Sequence, residues 1–83
     1  MTTYTATVTV RLKNGVLDPE ADTTHHALER LGFELEGLRS ADRFEVDLYA
    51  ESRVEARERA DEMAERLLAH PTIHDYDIEV AER

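Results

Sequence analysis

The most constraining feature of the sequence is the strict alternation of its opening stretch, residues 3–13. Tyr4, Ala6, Val8, Val10 and Leu12 fall on one side of an extended chain, and Thr3, Thr5, Thr7, Thr9 and Arg11 on the other. A period of two built from β-branched residues specifies a strand with one buried face and one polar face. That apolar face needs a layer over it, which the rest of the chain must supply.

Asn14-Gly15 breaks the strand. Leu17-Asp18-Pro19 then opens a helix, with Asp18 capping free N–H groups and Pro19 suited to the first turn. Thr24, Ala27, Leu28 and Leu31 follow at helical spacing, and Gly32 stands where a left-handed residue ends a helix, so the spacing predicts a helix over 19–31. A second strand is expected over 33–40, with Leu38 as its core candidate, followed by a turn at Ser40-Ala41-Asp42-Arg43. The next strand turns Phe44, Val46, Leu48 and Ala50 inward and Arg43, Glu45, Asp47 and Tyr49 outward. Ser52-Arg53-Val54-Glu55 is a capping box. The helix behind it carries Ala56, Ala60, Met63, Ala64 and Leu67 along one stripe, with Glu55–Arg59 and Glu62–Arg66 as i,i+4 pairs. Pro71 marks its end, and a last strand over 73–80 buries Tyr76, Ile78 and Val80 while exposing Asp75, Asp77 and Glu79.

The order is β-α-β-β-α-β, an α+β chain of the ferredoxin-like kind: an antiparallel sheet with two helices on one face. The other face is polar and uncovered, and such a face with its edge strands predicts an association surface. The 83 residues make a single domain (1–83) with one modest core and little room for a deep substrate cavity.

Composition narrows the function. Cysteine is absent, which removes disulfides, thiolate metal sites and a cysteine nucleophile. The N-terminus lacks the pattern of a signal peptide and no apolar run approaches bilayer length, so a soluble, cytoplasmic chain is expected. The formal charge of −9 disfavours nucleic acid and anionic membranes as partners. Lys13 is the only lysine among ten basic residues, and an acid-rich, lysine-poor composition predicts tolerance of high salt and a halophilic source.

Candidate chemical sites each meet a physical objection. His25-His26 lie in the first helix, where adjacent side chains diverge by about 100° and cannot share one metal ion. His70, His74 and Asp75 flank Pro71, but no nucleophile accompanies them, and His70 near a helix C-terminus meets the dipole favourably. No EF-hand pattern or phosphate-binding glycine loop occurs, with Gly15, Gly32 and Gly37 the only glycines. An RNA-recognition surface would want exposed aromatics amid basic residues, whereas the open face offers Thr7, Thr9, Glu45, Asp47 and the lone aromatic Tyr49. No catalytic, cofactor or metal site of the chain's own is expected.

Several segments in order resemble the PurS family, a subunit of phosphoribosylformylglycinamidine (FGAM) synthase. They are the opening strand with Val16-Leu17-Asp18-Pro19, then Ala27-Leu28 and Leu31-Gly32-Phe33, then Leu38-Arg39 and Glu45 about the central hairpin. The most specific is Leu67-Leu68-Ala69-His70-Pro71-Thr72-Ile73-His74-Asp75-Tyr76, with Glu79 near the end. The chain departs from the family's usual Gln-Gly at Glu20-Ala21, from its Gly-Lys at Ala41-Asp42, and from its asparagine at His70.

The resemblance implies a non-catalytic accessory subunit of an ATP-dependent glutamine amidotransferase in purine biosynthesis. The complex would convert formylglycinamide ribonucleotide (FGAR), ATP and glutamine to FGAM, ADP, phosphate and glutamate. It implies a homodimer or higher homo-oligomer that bridges a PurQ-like glutaminase and a PurL-like synthetase and assists ammonia transfer, with ATP and Mg²⁺ used by the synthetase. Arg39, Arg43, Asp75 and Tyr76 are the expected partner contacts, and Asp18, Pro19, Gly32 and Pro71 the structural motif. Two rivals stand beside it: an ACT-like domain of the same topology that binds a small molecule between subunits, with Asn14-Gly15 as its glycine turn, and a small stand-alone enzyme.

Overall fold

The computed structural model describes residues 1–83. Its elements are β1 (Thr2–Leu12), α1 (Pro19–Arg30), β2 (Asp42–Ala50), α2 (Arg53–Met63) and β3 (His74–Glu82), with a π-helical turn (Ala64–Leu68) continuing α2. The three strands form one antiparallel sheet in the order β2-β1-β3. Placing β1 at the centre explains its alternation, because it alone is paired on both sides and buries Tyr4, Ala6, Val8 and Val10 beneath α2. Leu48, Ala50 and Ile78 complete the sheet's share of the core.

Helix α2 approaches the sheet on small residues: Ala56, Ala60 and Ala64 are fully buried. Ser52 caps its first turn, accepting from the Glu55 N–H at 3.2 Å. The stripe expected from helical spacing fails one turn later. The Ala69 N–H donates to the Ala64 carbonyl five residues back, so the turn carries one extra residue. Ala69 and Leu68 then take the inward position, and Leu67, expected in the core, is 84% exposed.

The α+β class and the antiparallel sheet stand as expected, but two details differ. Residues 34–41 form no strand and make no backbone hydrogen bond, because no free sheet edge of the same chain lies beside them. In place of the second strand there is an extended return from α1 to β2, and the observed order is β-α-β-α-β. Nor does α1 lie on the sheet beside α2. It buries only Ala21 and touches the other elements marginally.

Helix α1 and its return instead project as an arm from one end of the sheet. The arm is tied at its base, where Asp18 accepts from the Ala21 N–H and from the Ser40 hydroxyl, each at 3.1 Å. At its tip Gly32, with φ at +100°, ends the helix in the left-handed region. The molecule therefore measures 52 × 27 × 15 Å with a radius of gyration of 16.3 Å. A compact domain of this length would have about 12 Å.

Candidate interaction surfaces

The uncovered face of the sheet is built from the odd-numbered residues of β1 and their neighbours. Register sets Thr5 beside Asp47, Thr7 between Glu45 and Glu79, Thr9 between Arg43 and Asp77, and Arg11 beside Asp75. The charges are cross-linked across strands: Arg11 to Asp77 at 2.7 Å, Arg83 to Asp47 at 3.2 Å, and Lys13 to Asp75 at 3.9 Å. Arg43 meets Glu45 at 3.2 Å along its own strand, and Thr5 donates to Asp47 at 2.7 Å. The result is a flat polar surface whose charges nearly cancel, with a threonine row along its centre. Such exposed pairs contribute little to stability.

The negative surplus sits elsewhere. Residues 14–42 contain seven acidic side chains against Arg30 and Arg39, which is five of the nine excess negative charges.

The two sheet edges differ. Pairing of Thr3 with Arg83 and of Lys13 with Ile73 turns the N–H and C=O groups of Tyr76, Ile78 and Val80 to the outer side of β3. There Arg57 donates to the Ile78 carbonyl at 2.9 Å and Arg53 to the Val80 carbonyl at 2.5 Å. Two arginines of α2 thus cap this edge against another strand. On β2 the outward groups belong to Arg43, Glu45, Asp47 and Tyr49, and none is engaged. Arg53 and Arg57 were not singled out from sequence, since arginines one turn apart on a polar helix read as solvent-facing.

The four expected partner contacts do not form one patch. Arg43 and Asp75 lie on the polar face at the end from which the arm projects, opposite Thr9 and Arg11. Arg39 sits in the arm's return, free of any ion pair, beside Lys13, Asn14 and Gly15. Tyr76 points to the helix side, paired with Val10, and donates its hydroxyl to Asp61 of α2 at 2.6 Å. That bond, partial burial and the charges of Asp61 and Glu65 push the phenol up to about 12. Of the structural motif, Asp18 and Pro19 start α1, Gly32 ends it, and Pro71 lies in the turn before β3.

The histidines serve the backbone. His74 accepts the His70 N–H on Nδ1 at 2.8 Å, and His70 accepts the Thr72 N–H on Nδ1 at 3.3 Å, so both rings clasp the turn. Asp75 faces Lys13. In α1, His25 reaches Glu29 and His26 reaches Asp22 on diverging faces, at 3.5 and 3.9 Å.

Comparison with known proteins places this geometry. The PurS family profile, described as phosphoribosylformylglycinamidine (FGAM) synthase, matches residues 5–82. The FGAM synthase subunit PurS of Methanocaldococcus jannaschii is 40% identical over 78 residues, which cover 93% of this chain and 94% of that protein. The crystal structure of PurS from that organism superposes with a TM-score of 0.86 at 38% identity, covering 96% of this chain and 98% of the other. A chain of PurLQS from Thermotoga maritima gives a TM-score of 0.85 at 27% identity over 100% of both chains. The chain belongs to the PurS family, a subunit of FGAM synthase.

Proposed function

We propose that this chain acts as a non-catalytic, cytoplasmic bridging subunit that joins a PurL-like synthetase to a PurQ-like glutaminase. The synthetase would use ATP and Mg²⁺ to amidate FGAR with ammonia released from glutamine. This chain would hold the two active sites in register for that transfer. The observation that carries the reading is the end-to-end likeness to a chain of PurLQS. The geometry supports it, because the chain offers surfaces rather than a pocket: an ion-paired polar face, an open β2 edge and a projecting arm. A homodimer is part of the proposal. Arg39, Arg43 and Asp75 cluster toward the arm end and are proposed as contacts with the other subunits, and Tyr76 as a strut behind them.

Reconstitution tests the role. Glutamine-dependent FGAM formation by the synthetase and glutaminase should fall at least tenfold when this chain is omitted. An unchanged rate would refute it.

A further inference from the structure

Ten basic side chains stand among 19 carboxylates in this sequence, so a cation left without a partner calls for an explanation. Of the nine arginines, five pair with carboxylates, and Arg53 and Arg57 bond carbonyls of β3. Arg30 lies in the last turn of α1, where the helix dipole favours a cation. Arg39 alone has neither a partner nor a helix end. It lines a cleft of about 340 Å³ at the base of the arm, between the Asn14-Gly15 turn and the return at residues 38–41. We infer that this cleft binds a phosphate dianion, free or as a phosphomonoester, held by Lys13, Arg39 and the turn.

The first support is charge. Arg11, Lys13 and Arg39 line the cleft against the single carboxylate of Asp18, a surplus of two (three less one) in a chain whose formal charge is −9. Asp18 is already occupied, accepting from the Ala21 N–H and the Ser40 hydroxyl. The opposing Asp75 and Asp77 lie outside the cleft, on the polar face. Asp77 holds Arg11 at 2.7 Å, but Asp75 stands 3.9 Å from Lys13, too far for a hydrogen bond. The ammonium of Lys13 and the guanidinium of Arg39 therefore both keep donors to spare. A phosphomonoester carries about −1.5 to −2 charge at neutral pH, which matches such a surplus better than a carboxylate does.

The second support is the backbone. The Lys13 carbonyl accepts the Val16 N–H at 3.1 Å, closing a tight turn in which Gly15 takes a φ of +85°, a conformation glycine adopts freely. The N–H groups of Asn14 and Gly15 bond nothing in the chain, and neither do those of residues 38–41. A methyl group built onto Gly15 would meet no atom within 4 Å, so open space lies over this backbone and an oxyanion can approach it. An ammonium, a guanidinium fork and free N–H groups around one cleft offer charge-assisted bonds to several oxygens of the same ion.

Amide NMR of the full chain at fixed ionic strength tests the site, with orthophosphate and glycerol phosphate titrated separately through the millimolar range. Saturable shifts of the Asn14 and Gly15 amide signals are expected. Saturation by both ligands supports a phosphomonoester site, and saturation by orthophosphate alone supports a site for the free ion. Arg39 is exposed and unpaired, so Arg39→Gln should keep the parent circular dichroism spectrum while binding about tenfold more weakly, as should Lys13→Gln. Arg30→Gln removes the same charge at the tip of the arm and should leave affinity unchanged.

Absence of saturation with either ligand overturns the site. Equal weakening in Arg30→Gln and Arg39→Gln also overturns it, because that result reduces binding to general attraction by charge. Acetate binding as tightly as orthophosphate would contradict the assignment to phosphate. Each of these failures leaves the bridging role standing, since reconstitution reads that role separately.

Discussion

Arg57 and Arg59 stand two residues apart on one helix, yet they should differ several-fold in what they contribute. Arg59 makes an i,i+4 pair with Glu55 at 3.1 Å on the exposed surface, worth about 0.3–0.5 kcal/mol. Arg57 donates to the Ile78 carbonyl in a partly buried setting. A hydrogen bond from a charged donor contributes about 1.5–3 kcal/mol, reduced here because water can reach an edge carbonyl once the arginine is gone. Arg57→Met keeps the apolar stem and removes the fork, so the expected loss is about 1.5 kcal/mol. Adding Arg53→Met removes the more exposed bond to Val80, for a total of about 2 kcal/mol. With a urea slope of about 1–2 kcal/mol/M for a chain this small, the midpoint should fall by about 1–2 M in the double variant. It should fall by under about 0.5 M in Arg59→Met. Urea unfolding followed by circular dichroism at one fixed protein concentration makes the comparison, since self-association shifts the midpoint. Equal midpoints for Arg57→Met and Arg59→Met would refute the reading of Arg57 as an edge cap.

Three further outcomes are expected. Val8 is fully buried at the centre of the sheet, so Val8→Ala removes two methyl groups, leaves a cavity, and should cost about 2–3 kcal/mol by denaturant unfolding; Val54→Ala, at a position 66% exposed, should cost under about 0.5 kcal/mol. The Tyr76 phenol, raised from 10.0 to about 12 first of all by its bond to Asp61, should show that raised value in an ultraviolet titration, and Asp61→Asn should bring it down. Its neutral form is favoured by the fold, so that stabilisation is complete below pH 10 and is lost as pH rises toward 12. A formal charge of −9 predicts that stability rises with KCl, and a melting temperature independent of salt would contradict it.

What could be read from the sequence followed from where each element's partners lie. The alternation of β1 was legible because its partners are in the chain and its buried face is complete. The caps at Asp18 and Ser52 were legible because capping is local. Residues 33–40 carry a strand-like pattern, but forming a strand needs an edge, and the only open edge in the chain runs along β2 without them. Leu67 was misplaced because spacing arithmetic assumes an unbroken helix, and one π turn moves every later residue round the axis. The residues expected to contact partners show least in the sequence: Arg43 and Asp75 are brought to one end of the sheet by strand register, which is a property of the fold.

The most direct measurement immobilises the synthetase and asks whether it retains the glutaminase. The account predicts retention when this chain is present, in proportion to the chain bound, and loss of the glutaminase when it is withheld. Equal retention of the glutaminase without the chain would contradict the bridging role.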